Sequence, residues 1–258
     1  MSKSFLCIIM MLGASACSAS ENNSDEITLY FARHGETLLN NLEHVQGWAD
    51  APLTDEGRKV ARYLGEGLKK IPFDQFYSGD VGRQRDTLKI ILSQTGHLPE
   101  TKFKEFSGLR ESFFGSFEGL RAEEMFEASA QVLGLPDTKA LLADMVAGKV
   151  SIKKMQDAIA AADPKRMAEN YQQVKTRTHT TVSEIINSAR ENKDRNILIV
   201  TSGMTIMNLV YELTDKPLQI KPLSNAAVVK ITYSNGKYKV IEPGTLRYVN
   251  NGKLLLAD

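Results

Sequence analysis

The sequence predicts an α/β fold with a largely parallel sheet. Residues 27–32 (ITLYFA) and 196–201 (NILIVT) are short, β-favouring apolar runs; each ends at a polar turn and is followed by a helix-like segment. Residues 226–233 and 237–241 flank Asn235-Gly236, a pair suited to a type I′ hairpin, so the sheet is expected to finish in an antiparallel pair and to be mixed.

The strand at 27–32 opens the body of the chain. Thr54 then stands ready to cap a helix running to residue 70, with Asp55 and Glu56 in its first turn, where the positive end of the helix dipole favours acids. Residues 80–94 read as a second helix. From 119 to 191 the chain is rich in Ala, Glu, Lys, Met and Leu and is broken by Gly134, Pro136, Gly148 and Pro164, which predicts several helices inserted between strands. The expected domain covers residues 27–250, with a helical insert at about 120–190.

Composition narrows the function. The 258 residues are 42% hydrophobic and 24% charged, as in an ordinary globular domain. Lys and Arg (32) nearly balance Asp and Glu (31), so there is no basic field to draw in nucleic acid. Both cysteines, Cys7 and Cys17, lie at the N-terminal end, which removes thiol chemistry from the body. His34, His44, His97 and His179 share no metal-ligand spacing, and neither a metal nor another cofactor is expected.

The N-terminal segment reads as an address. Lys3, the apolar run 5–12 and the small residues 13–16 have the layout of a secretory signal over residues 1–16, followed by a polar tether over 17–26. The apolar run is shorter than the ~20 residues a membrane-spanning helix needs. The run ASAC is similar to a bacterial lipobox, with Ala14 where Leu is usual, and that resemblance implies lipidation of Cys17. The expected protein is exported and held at the cell envelope, on its periplasmic or extracellular face, with a lipid anchor as its only membrane contact. Plain cleavage, or a buried N-terminal element, stays open.

At the carboxyl end of the 27–32 strand stands Arg33-His34-Gly35, where open α/β sheets place their ligands. Alone, the tripeptide is also a simple turn. Four further runs accompany it: QGWADAPLTDEG (46–57), YSGDVGRQRDT (77–87), LRESFFGSFEG (109–119) and VTSGMTI (200–206). In order and spacing the set resembles the histidine phosphatase superfamily, in its phosphoglycerate mutase-like branch. The resemblance implies a three-layer α/β/α core with a mostly parallel mixed sheet and a helical insert near the active site.

Position by position, the resemblance implies that His34 is the nucleophile that takes the phosphoryl group, and that Glu111 donates a proton to the leaving oxygen. Arg33, Asn40 and Arg83 match phosphate-pocket positions, and Gln46 and Gly47 match a loop that lines the substrate pocket. These roles suit the residue types. A neutral imidazole is a competent nucleophile when its other nitrogen donates to a fixed acceptor. Two guanidiniums match phosphoryl oxygens, and a dianionic substrate is the like-charge neighbour that favours a protonated acid. Arg83 also has Asp80 and Asp86 nearby in sequence, and Glu111 has Arg110. Trp48 reads as a loop anchor, and Phe113, Phe114 and Phe117 as packing beneath Glu111.

One position breaks the pattern. The family has S-H-G after the strand matching 196–201, and the second imidazole joins the phosphate pocket; here Ser202 stands in that place. A serine can donate one hydrogen bond but supplies no positive charge. The reading is a phosphomonoesterase acting on a small phosphorylated substrate, its activity reduced by Ser202. The alternative is a weak or inactive pseudophosphatase that binds phosphorylated ligands or acts as a surface scaffold. Phosphoglycerate mutase activity ranks below both, because export separates the chain from glycolysis.

Overall fold

The computed structural model describes residues 26–97, 101–213 and 222–257. The proposed signal (1–16) and nearly all of the tether (17–26) lie outside them. Six strands form one sheet in the order β3-β2-β4-β1-β5-β6: β1 (Ile27–Arg33), β2 (Gln75–Ser78), β3 (Lys104–Glu105), β4 (Asn196–Thr201), β5 (Val228–Ser234) and β6 (Lys237–Thr245). The β1–β4, β2–β4 and β2–β3 pairs are parallel, and β1–β5 and β5–β6 are antiparallel. The hairpin turns at Asn235 (φ 51°) and Gly236 (φ 76°), both left-handed as a type I′ turn requires.

Alternation along β1 builds two cores. Ile27, Leu29 and Phe31 point to one face and pack with Val182, Ile185, Ile206 and Leu209. Tyr30 and Ala32 point to the other, against Leu64, Leu88, Ile91 and Val249. One face is covered by α7 (Tyr171–Asn192) and α8 (Gly203–Leu213), and the other by α2 (Asp55–Leu68), α3 (Gly82–Thr95) and α9 (Arg247–Leu255). The result is a three-layer α/β/α sandwich with a mostly parallel sheet.

The breaks at Gly134, Pro136, Gly148 and Pro164 separate α4 (Ala122–Val132), α5 (Thr138–Val146), α6 (Ile152–Ala162) and α7. Asp137, Ser151 and Asn170 cap the last three through backbone N–H groups of Ala140, Lys154 and Gln173. Helices α4 to α6 form a cap whose own core joins Met125, Leu141, Met155 and Ile159 to Val45, Phe114 and Phe117. The C-terminal half of α7 belongs to the sandwich rather than the cap, because Val182, Ile185, Ile186 and Ala189 pack on the sheet.

Some boundaries differ from the sequence reading. Thr54 caps α2 as expected, but the helix ends at Leu68. Helix α3 begins at Gly82 rather than residue 80, because Asp80 is held away in a two-point ion pair with Arg110. The α3 N-terminus is instead met from a distant loop, Gly82 N donating to Asp50 Oδ2 over 2.6 Å. The short β2 and β3, the one-turn α1 (Leu38–Asn41) and α9 carry no periodic signal long enough to read.

Candidate active site

The parallel β1–β4 register sets Arg33 opposite Thr201, so the residues that follow each strand meet at one edge of the sheet. His34 N donates to Thr201 O over 3.0 Å, and Gly35 N to Thr87 Oγ1 over 3.0 Å. His34 is buried. Its Nδ1 lies 2.8 Å from Gly35 O, an acceptor, so Nδ1 carries the proton and Nε2 keeps its lone pair. Nε2 accepts from Arg83 Nε at 3.3 Å. Burial, then the charges of Arg83 and Arg33, hold the imidazole well below its ordinary pKa, against the opposing bond to Gly35. The ring is therefore neutral, with its lone pair at Nε2.

Arg83, on α3, is fully buried and held by the 46–50 loop: Nη2 donates to Gly47 O (2.6 Å), and Nη1 to Ala49 O (3.0 Å) and Asp50 Oδ1 (3.0 Å), which leaves the second Nη2 hydrogen uncommitted. Its ion partner is thus Asp50, not the Asp80 or Asp86 of its own segment. Arg33 Nη1 donates to Leu223 O, while its Nε is buried with no partner among the described residues. Burial above all lowers the Arg33 pKa, Glu111 opposing and Arg83 adding to the effect.

Glu111 meets the start of α8. Its Oε1 accepts from Ser112 N (2.9 Å), Thr205 N (2.9 Å) and Thr205 Oγ1 (3.2 Å), and its Oε2 from Met204 N (3.0 Å). This carboxylate answers backbone donors left open at a helix N-terminus. It does not bridge Arg110, which is occupied by Asp80.

Gln46 accepts from Thr37 Oγ1 at 2.5 Å through Oε1, leaving Nε2 buried without a partner among the described residues. Gly47 has no room for a side chain, since a Cβ would fall 2.2 Å from Ser112 O. Asn40 Oδ1 accepts from Thr37 N and from Asn225 Nδ2, an amide that also donates to His34 O, and Asn40 lines a neighbouring cavity. Ser202 is fully buried, and its Oγ accepts from Gln84 Nε2 at 2.7 Å. Trp48 does anchor its loop, donating from Nε1 to Glu111 O at 3.1 Å, and Phe114 and Phe117 pack into the cap core.

A cavity of about 250 Å³ opens over Arg33, Gln46, Glu111 and Gly203, roofed by the cap helices. Three organising residues escaped the sequence reading. Glu118 accepts from four backbone N–H groups, those of Gly47, Trp48, Ala49 and Phe114, at 2.9–3.0 Å. Arg177, paired with Glu169, donates to the carbonyls of Gly108, Arg110 and Glu111. Gln84 fills the space beside Ser202 and also donates to Leu109 O. Glu118 and Gln84 both stand inside quoted motifs, but nothing local reveals partners some 70 and 118 residues away; Arg177 lies in none of those motifs.

A buried neutral imidazole flanked by guanidiniums at the carboxyl ends of parallel strands defines an α/β protein with an anion-accepting site. The sequence pattern of the histidine phosphatase superfamily (branch 1) matches residues 29–244, and the chain belongs to that family. The crystal structure of a phosphoglycerate mutase from Bacillus anthracis superposes with a TM-score of 0.84 and 37% identity, over 90% of this chain and 98% of that one. A 2,3-bisphosphoglycerate-dependent phosphoglycerate mutase of Gloeobacter violaceus is 34% identical over 96 residues, 37% of this chain and 43% of the relative, so the match spans less than half of that protein. An uncharacterized phosphatase of Bacillus subtilis is 26% identical over 81% of this chain and 89% of its own.

Proposed function

We propose that the protein is a phosphomonoesterase working through a phosphohistidine on His34. The observation that carries this reading is the fixed tautomer, Nδ1–H on Gly35 O with the Nε2 lone pair facing Arg83. Arg83 gives up His34 Nε2 and offers its Nε–H and remaining Nη2–H to the phosphoryl oxygens, joined by Arg33 Nε, which has no partner among the described residues. The Nε2 lone pair then forms a bond to phosphorus as the bond to the ester oxygen breaks, and Glu111 hands that oxygen a proton. Water attacks the phosphohistidine, leaves its proton on Glu111 and releases phosphate. Gln46 Nε2 supplies a further donor, and the Gly47 carbonyl holds Arg83 in aim.

A second reading has its own observation. Ser202, in the place where the family pattern has its second histidine, spends its oxygen on Gln84, and it does not line the cavity. The pocket thereby lacks one cation, and losing one preorganised donor costs about 10²–10³-fold in rate. A protein that binds phosphate esters and turns them over slowly or not at all fits that arrangement.

The test is turnover of simple phosphate esters by the protein and by His34→Ala, with rapid quenching in alkaline detergent, in which a phosphohistidine survives and from which subsequent acid releases its phosphate. Activity and trapped phosphate confined to the protein with His34 are expected; equal rates in both would end the phosphatase reading. Export with a lipid on Cys17 is part of the same proposal, supported by the signal-like run before it. Fatty-acid labelling of the expressed chain, expected to vanish in Cys17→Ser, checks it, and absence of label in both would refute the anchor.

A further inference from the structure

The cavity over Glu111 says what the phosphate is attached to. Five of the chain's nine methionines, Met125, Met145, Met155, Met204 and Met207, line it together with Phe114. They come from four different helices: Met125 from α4, Met145 from α5, Met155 from α6, and Met204 and Met207 one turn apart on α8. The polar side chains lining it among the described residues are three, Arg33, Gln46 and Glu111. Arg33 Nε and Gln46 Nε2 are both buried and unpaired among the described residues, beside the Glu111 carboxylate. Arg33 is the one cationic side chain lining the cavity among those residues.

Resting on the phosphomonoesterase reading, we infer that the substrate is the phosphate ester of an apolar alcohol or phenol, its organic part seated among the methionines. The phosphoryl group takes up Arg33, Arg83 and Gln46, and Glu111 faces the bridging oxygen. Beyond that oxygen the walls offer carbon and thioether. Sugar hydroxyls or a glycerate carboxylate entering there would lose water and find no donor or countercharge. The size agrees. A cavity of roughly 150 Å³ lined by aliphatic side chains holds benzene, so about 250 Å³ takes a two-ring aromatic or a medium alkyl chain. Methionine is also the side chain that remoulds most readily around differing shapes, so a range of apolar groups is accepted rather than one.

The experiment separates this inference from the question of turnover. Binding of ethyl-, butyl- and hexylphosphonate, whose carbon–phosphorus bond is not hydrolysed, is measured on the full chain beside 3-phosphonopropionate. Turnover of the matching alkyl phosphates is followed in parallel against 3-phosphoglycerate. Each added methylene is expected to tighten binding about fourfold, the equivalent of ~0.8 kcal/mol per buried methylene, so hexyl exceeds ethyl by roughly two orders of magnitude. The carboxylate compound should bind no better than ethylphosphonate. A flat chain-length series, no binding of any phosphonate, or preference for the carboxylate would overturn the inference. Steep chain-length dependence without turnover would uphold the apolar site and defeat the phosphatase reading instead. Leu142→Lys, at a cavity-lining position 41% exposed and so tolerant of change, is expected to weaken hexylphosphonate at least tenfold and to improve 3-phosphonopropionate; no change in either ratio would count against the seat proposed.

Discussion

Glu118→Gln is the substitution on which the geometry bears most sharply. Oε1 of Glu118 accepts from Trp48 N at 2.9 Å and Phe114 N at 3.0 Å, and Oε2 from Gly47 N and Ala49 N, both at 3.0 Å. A glutamine has one acceptor oxygen and one NH₂ group, so in either orientation two backbone N–H groups face another donor. Each donor left unsatisfied costs about 1–3 kcal/mol, and the partial exposure of Trp48 lets water recover some of this, so a loss of ~2–4 kcal/mol is expected. The same loop holds Arg83 through Gly47 O and Ala49 O. A slip of about 1 Å there is expected to lower kcat/KM by ~10²-fold. Urea unfolding reads the first quantity from the midpoint at constant slope, and steady-state kinetics the second. A Glu118→Gln protein within ~0.5 kcal/mol of the parent would show that the four bonds do not hold the loop.

Three further outcomes can be checked. Ser202→His alone is expected to lose stability by ~1–3 kcal/mol and to gain no rate, because Gln84 already fills the adjoining space and both residues are fully buried. Ser202→His with Gln84→Ala should recover stability and exceed the single variant in kcat by at least about tenfold; a faster single variant would refute the crowding. The third concerns pH. The folded His34 pKa lies below the unfolded 6.5, so the unfolded chain binds the extra proton first, and stability present above pH 6.5 is lost as pH falls below it. Wild type should lose up to ~1.4 kcal/mol per pH unit more than His34→Gln on that descent, and parallel urea midpoints from pH 7.5 to 5.5 would contradict it.

Much of this architecture could be read from residues 27–32 and 196–201, because a buried strand needs a continuous apolar run and a helix beside it needs a capped start such as Thr54. The cap helices were equally plain, since glycine and proline mark their ends. At the site, Arg33, His34, Arg83 and Glu111 do converge within one network. What stayed hidden depends on distance along the chain. Asp50 reaches the α3 N-terminus across 32 residues, Arg177 meets Glu111 across 66, and Gln84 finds Ser202 across 118. No periodicity encodes such pairs. Asn40, assigned to the phosphate pocket by resemblance, reaches His34 through Asn225, a link no local pattern announces.

Helix α7 straddles two regions. Tyr171 begins it beside α6, with its N–H on Asp157; Arg177 grips the backbone that carries Glu111; and residues 182–189 are embedded against the sheet. A rod seated in the sandwich at one end and touching the cap at the other ties the two regions together, with Arg177 between them on the Glu111 backbone. On the proposed role of Glu111, a ligand bulky enough to displace the cap would load α7 and the Glu111 backbone first, whereas the anchors of the imidazole lie on other elements. Ligand shape felt far from phosphorus would accordingly register in kcat rather than in KM alone.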